Sequence, residues 1–198
     1  MPRHKNTLGR VLAYHGCEYE IARQLINHDV DIAVSANKYD WLGDGAYFWI
    51  DSPQRAIDWA LWKRDQGEIR RPAIVGAFIN LGLCLNLTDY GVMTDIGAAH
   101  EVLRDLFTTA GAVMPQNTLR SQGTFLKRFL DCAVFNMVHK LRTDDGKEPY
   151  DTVLGIFEEG SEVYQDACFK EKTHIQVAVR NPECIVGYFQ VRGQEVFK

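Results

Sequence analysis

Apolar residues along this chain keep two rhythms, and the changes between them outline its elements. The run "RVLAYHGC" is almost continuously apolar, as a buried strand is. In "EYEIARQLINH", Ile21, Leu25 and Ile26 fall on one helical face. "GDGAYFWI" reads as a glycine turn feeding an aromatic strand. "SPQRAIDWALWKR" opens a helix with Ser52 as N-cap and Pro53 at the first helical position, and its Ala56, Trp59 and Ala60 share a face. In "AIVGAFINLGLCLNL" the residues Val75, Ala77 and Ile79 alternate with Gly76, Phe78 and Asn80, which predicts strand. Two apolar stripes predict helices, Ile96, Ala99, Leu103, Leu106 and Phe107 near 95–110, and Leu126, Leu130, Val134, Val138 and Leu141 over 122–142. Polar "RTDDGKEPYD" breaks the pattern before the strand "TVLGIF". A polar loop, "EEGSEVYQDACFKEK", precedes the closing strands "THIQVAVR" and "ECIVGYFQV". Strand and helix come early, helices in the middle and strands late, which is an α+β order and not a succession of βαβ units.

Composition narrows this picture without redirecting it. The 198 residues, 46% of them hydrophobic, suffice for one domain with a true core, and no repeat or linker divides residues 1–198. A net charge of −4 provides no broad basic field for nucleic acid. The local run of Lys63, Arg64, Arg70 and Arg71 reads as a solvated helix end and loop. Cys17, Cys84, Cys132, Cys168 and Cys184 are odd in number and widely spaced, and no pair has zinc-site spacing, so no metal is expected. Most sit among apolar neighbours, as reduced thiols do. "MPRHKNTLGR" is followed by no apolar signal core, and no segment approaches the ~18 apolar residues of a membrane span, so the expected location is cytoplasmic.

Three short pieces carry chemistry: "YHG", "GDGAYFW…RAIDWA" and "THIQV". Together and in this order they resemble the ADP-ribosyltransferase superfamily, in its diphtheria-toxin-like and poly(ADP-ribose)-polymerase-like branch. The resemblance covers residues 11–62 and 152–190 and is carried by His15-Gly16, by Gly43-Asp44-Gly45-Ala46-Tyr47-Phe48 and by Gln176. It implies a split β-sheet, two small sheets holding NAD in the cleft between them, with helices outside.

By that resemblance the backbone N–H and C=O of Gly16 bond the nicotinamide carboxamide, and Tyr47 stacks on the ring. Trp59, from the following helix, completes the aromatic slot; Ala56 and Cys17 are further cofactor-binding positions, Cys17 at a ribose contact. Relatives commonly carry Ser or Thr where Cys17 stands. His15 bonds the adenosine ribose. Gln176 bonds the nicotinamide-ribose 2′-hydroxyl, an interaction that strengthens as the glycosidic bond breaks and oxocarbenium character builds. Tyr47, His15 and Gln176 are thus the expected catalytic residues. A neutral glutamine in place of glutamate orients the sugar without supplying charge, which favours single ADP-ribose transfer over chain elongation.

In "THIQVAVR", Thr173, Ile175, Val177 and Val179 lie on one side and His174, Gln176, Ala178 and Arg180 on the other, a pattern that a half-exposed strand also shows. Arginine-modifying relatives carry an acid where His174 stands, so arginine is disfavoured as acceptor. Tyr164 and Phe169, in the loop before this strand, are expected target contacts together with His174.

The reading is an NAD-consuming mono-ADP-ribosyltransferase acting on a protein or nucleic-acid acceptor. By family analogy it is a bacterial toxin or defence effector, neutralised by an inhibitor protein. Two alternatives stay open: phosphotransfer from 2′-phosphorylated RNA to NAD, and an NAD or ADP-ribose binding module without turnover.

Overall fold

The computed structural model describes residues 9–121 and 124–192. Nine strands and four α-helices follow one another as β1 (Arg10–Glu18), α1 (Tyr19–Ile26), β2 (Ala46–Ile50), α2 (Pro53–Asp65), β3 (Pro72–Asn80), β4 (Cys84–Asn86), α3 (Met93–Thr109), β5 (Asn117–Ser121), β6 (Thr124–Arg128), α4 (Phe129–Asp144), β7 (Thr152–Phe157), β8 (His174–Val179) and β9 (Ile185–Gln190). The architecture is α+β. Seven strands form one mixed sheet in the order β4-β7-β8-β2-β1-β3-β9, and β5-β6 form a separate hairpin. Among the named strands, β4 and β7 pair in parallel and the other pairs are antiparallel.

Both faces of the large sheet are covered. On one, Ala13, Phe48, Val75, Ile79 and Val177 pack with Ala22 and Leu25 of α1. On the other, Leu42, Val153, Phe157 and Ala178 pack under Leu103 of α3 and Phe135 and Val138 of α4. A third cluster seats Ala56 and Ile57 of α2 against Trp49 and Ile74. Strand β8 is therefore buried on both sides: His174, Gln176 and Ala178 on one, Val177 and Val179 on the other.

The middle of the sheet is narrow. Strands β1 and β3 run in register over nine pairs, from Arg10–Asn80 to Glu18–Pro72. Strands β1 and β2 share only Ala13–Ile50 and Tyr14–Trp49. The Leu12 carbonyl faces β2 and accepts from Asp51 N–H at 3.0 Å. Strand alternation turns the N–H and C=O of Tyr14 and Gly16 to that same edge. The pairing with β2 ends at Tyr14, so the N–H and C=O of Gly16 turn to an edge that β2 no longer pairs.

Several local expectations need correction. Leu126 lies in β6 and not on a helix; α4 begins only at Phe129, because the segment before it folds back as a hairpin. Residues 122 and 123, at the start of that expected helix, lie outside the described residues. Ser52 occupies the N-cap position of α2 but makes no side-chain cap bond; Pro53 alone sets the start. Ala56 and Ala60 are fully buried while Trp59 is 36% exposed, since it lies to the side of the line they form. Ile21 and Leu106 face outward, at 42% and 51% exposure, leaving Ala22 with Leu25, and Ala99 with Leu103, as the buried residues of their helices. "AIVGAFINLGLCLNL" splits into β3 and β4 at Gly82, whose φ of 59° takes it out of the strand region.

Candidate functional site

The glycine turn before β2 fixes where Tyr47 goes. Gly43 has φ 78°, a conformation side chains resist, and it lies against Asn136 of α4. The Tyr47 hydroxyl donates to the Gly43 carbonyl at 2.6 Å and accepts from Leu42 N–H at 2.8 Å. Burial pushes this phenol well above its ordinary pKa, so it stays protonated and its ring is held in one orientation.

Tyr47 opposes Ala178, and Trp49 opposes Gln176, across β2 and β8. Residues directly opposite share a face, and alternation adds His174 to it. Gln176 is 8% exposed, and its amide hydrogen-bonds to none of the described residues. Trp49, 4% exposed, has a buried indole Nε1 without a partner. His174 carries another such nitrogen on this face. Its Nδ1 lies 2.6 Å from the Lys172 carbonyl, which can only accept, so Nδ1 carries the proton. Arg55 Nε, at 3.4 Å from that same nitrogen, is therefore a contact and not a donor to it. The lone pair of Nε2 remains buried and unpartnered. Burial, its largest influence, lowers the His174 pKa and keeps the ring neutral at pH 7.

A cationic and aromatic surround encloses this group. The Arg55 guanidinium pairs with Glu159 and lies 5.8 Å from the Trp49 ring centre. Arg128 sits over Trp41 at 4.1 Å and Phe157 at 4.8 Å, and both rings flank His174. Trp41 is fixed by donating from its indole nitrogen to the Leu126 carbonyl at 3.0 Å. Glu159 belongs to the loop before β8, so its pairing with Arg55 holds that loop over the site.

His15 lies across the seam on β1 and, alternating with Tyr14 and Gly16, turns to the opposite face of the sheet. Its Nδ1 donates to the Tyr47 carbonyl at 2.8 Å, and its ring lies 5.5 Å from that of Phe48. Burial lowers its pKa, so the neutral ring keeps Nε2 as an acceptor. Gly16 lies against the Ala56 carbonyl, and a Cβ there would drive into that oxygen. Trp59 is 6.0 Å from Trp49 and stacks on Trp62 at 4.9 Å.

The structure thus brings Gly16, Tyr47, Ala56, Trp59, His174 and Gln176 to one face of the sheet, whereas the His15 ring turns to the opposite face beside Phe48. Cys17 points into the α1-side core, its thiol pushed up to about 12 by burial. Tyr164 and Phe169 stand in the loop with 63% and 65% exposure. Trp49, Arg55, Trp41 and Arg128 join the site without having been singled out from sequence. Trp49 was legible, because it lies two residues beyond Tyr47 on the same strand face. Arg55 left a fainter trace: a cation in a helix's first turn opposes the dipole and so wants an acid beside it. Nothing local marks Trp41 or Arg128.

Among the described residues, no group of three or more His, Cys, Asp or Glu side chains gathers to hold a metal ion. No helix among them is long and apolar enough to cross a membrane. No protein-family model matches the chain, and no curated protein does. Among solved structures, a crystal structure of an anti-CRISPR protein is similar at TM-score 0.33 and 13% identity, over 91% of this chain and 96% of that one. A likeness at that level carries no argument about fold or function.

Proposed function

We propose that this chain is an NAD-dependent mono-ADP-ribosyltransferase, a cytoplasmic toxin or defence effector that transfers ADP-ribose to a macromolecular acceptor. The reading rests on one convergence: Trp49 Nε1 and His174 Nε2 lie buried and unpartnered on the sheet face that also carries Gln176. Each such group costs about 1–3 kcal/mol when left unsatisfied. A dinucleotide rich in hydroxyls, with an amide at one end, offers them partners. The two-pair seam between β1 and β2 supports the finer reading of the fold, two small sheets meeting at a cleft.

In this reading Gly16 gives the nicotinamide carboxamide one donor and one acceptor, and His15 Nε2 accepts from an adenosine-ribose hydroxyl. The anchored Tyr47 ring and the Trp49 and Trp59 indoles form the aromatic wall. The bond from ribose C1′ to the nicotinamide nitrogen breaks, and its electron pair leaves with nicotinamide. A bond forms from C1′ to an oxygen or nitrogen of the acceptor, and the proton that atom sheds goes to His174 Nε2. Gln176, bonded to the 2′-hydroxyl, stabilises the charge that builds on the sugar. Because His174 is enclosed, the acceptor reaches it when the Arg55–Glu159 pair parts and the loop swings away.

Titration with NAD, followed through the Trp49 indole N–H resonance assigned with Trp49→Phe, tests this. A saturable shift is expected. An unmoved resonance at millimolar NAD would overturn the reading. A saturable shift without nicotinamide release would replace the transferase with a binding module.

A further inference from the structure

A second polar site lies between α4, the turn at Asp44 and the residue that follows β8. A depression of about 340 Å³ opens there, lined by Asp44, Asn136, His139, Lys140, Thr143 and Arg180 among others. His139 projects from α4 and is only 4% exposed, yet neither of its ring nitrogens has a hydrogen-bond partner. A neutral imidazole so placed leaves one N–H and one lone pair unsatisfied.

Arg180, which follows β8 directly, is the second observation. Its Nη1 donates to the Asp44 carbonyl at 3.1 Å, while its Nε is buried without a partner. No hydrogen bond from its Nη2 joins any described residue. The Nε–Nη2 edge of a guanidinium is the fork that matches the two oxygens of a carboxylate or phosphate. The neighbouring charges are otherwise engaged. Lys140 pairs with Asp144 at 2.6 Å, Arg142 lies over Tyr150 at 4.1 Å, and Asp44 accepts from the Asn136 amide at 2.9 Å. Arg180 is thus the cation at this depression whose fork is open.

We propose that Arg180 and His139 bind a small oxyanion, the carboxylate or phosphate group of a small molecule. Arg180 grips two of its oxygens through Nε and Nη2, and the His139 N–H bonds an oxygen of the same ligand. The Asp44 carboxylate beside the site favours a singly charged group over a dianion. This site is independent of the NAD reading, since it shares no ligand-facing residue with the seam.

The test is a titration of the whole chain, labelled with ¹⁵N at arginine side chains, against sodium acetate and inorganic phosphate at constant ionic strength, with chloride as control. The expected result is a saturable downfield shift of the Arg180 Nε–H resonance with acetate, weaker with phosphate at neutral pH and absent with chloride. Arg180→Lys, which keeps the charge and loses the fork, should weaken acetate binding by about tenfold or more. A wild-type shift that never saturates, or that chloride reproduces, overturns the proposal. So does saturable acetate binding that Arg180→Lys leaves unchanged. The wild-type titration decides alone if that variant does not fold.

Discussion

Tyr47 shows how one side chain serves fold and site together. Its hydroxyl closes the Gly43 turn through two short hydrogen bonds, and its ring forms part of the core under α4. Tyr47→Phe keeps the ring and leaves Gly43 C=O and Leu42 N–H unpaired, so stability should fall by about 1–3 kcal/mol in urea unfolding. A variant as stable as wild type would remove the turn from its role. Of the residues named from sequence, Tyr47 and Gln176 share one face of β2 and β8, because strand alternation and the glycine turn act locally. His15 and Gly16 lie across β2 on β1, and the His15 ring turns to the other face. The face that Trp49 takes was legible from Tyr47, but its open indole nitrogen was not: in an apolar strand, an indole with a partner and an indole without one have the same letter. The Arg55–Glu159 pair was hidden by distance along the chain, 104 residues.

At the scale of elements, the contact between β1 and α2 fixes the seam's width. Gly16→Ala would place a methyl group against the Ala56 carbonyl, a backbone atom that cannot turn aside. The helix must shift, at a cost of about 1–3 kcal/mol typical of overpacking, read as a lower urea midpoint at unchanged slope. An unchanged midpoint would mean that α2 is not seated as described. Most elements were legible because each keeps one period over several residues: α3, β7 and β8 lie where their patterns put them. The β5–β6 hairpin was not, since Leu126 and Leu130 are four apart and mimic a helical stripe across a strand-to-helix boundary. The order of strands in the sheet was not legible either, because pairing β2 with β8 joins segments more than a hundred residues apart, and no local period records that.

Across the whole molecule, buried neutral histidines tie stability to pH. Burial, reinforced by Arg180 and Arg142, lowers the His139 pKa to about 3, from 6.5 when exposed. Below pH 6.5 the unfolded chain takes up a proton there that the folded chain refuses, so this contribution to stability is complete above 6.5 and shrinks as pH falls towards 3. His15 and His174 act in the same direction. Urea unfolding from pH 7 to 4 should therefore give a steeper loss of stability in wild type than in His139→Asn. Parallel curves would show that His139 is protonated as readily inside as outside.

The proposed chemistry is cleavage of NAD on the sheet face that carries Gln176. The most direct measurement is nicotinamide released from NAD by the purified chain, quantified chromatographically beside Gln176→Ala of matched thermal stability. Loss of a group that bonds the sugar in the transition state should lower release by about 100-fold. Release from wild type that the variant abolishes is the predicted result; equal release by both, or none by wild type with or without added lysate acceptor, would contradict it.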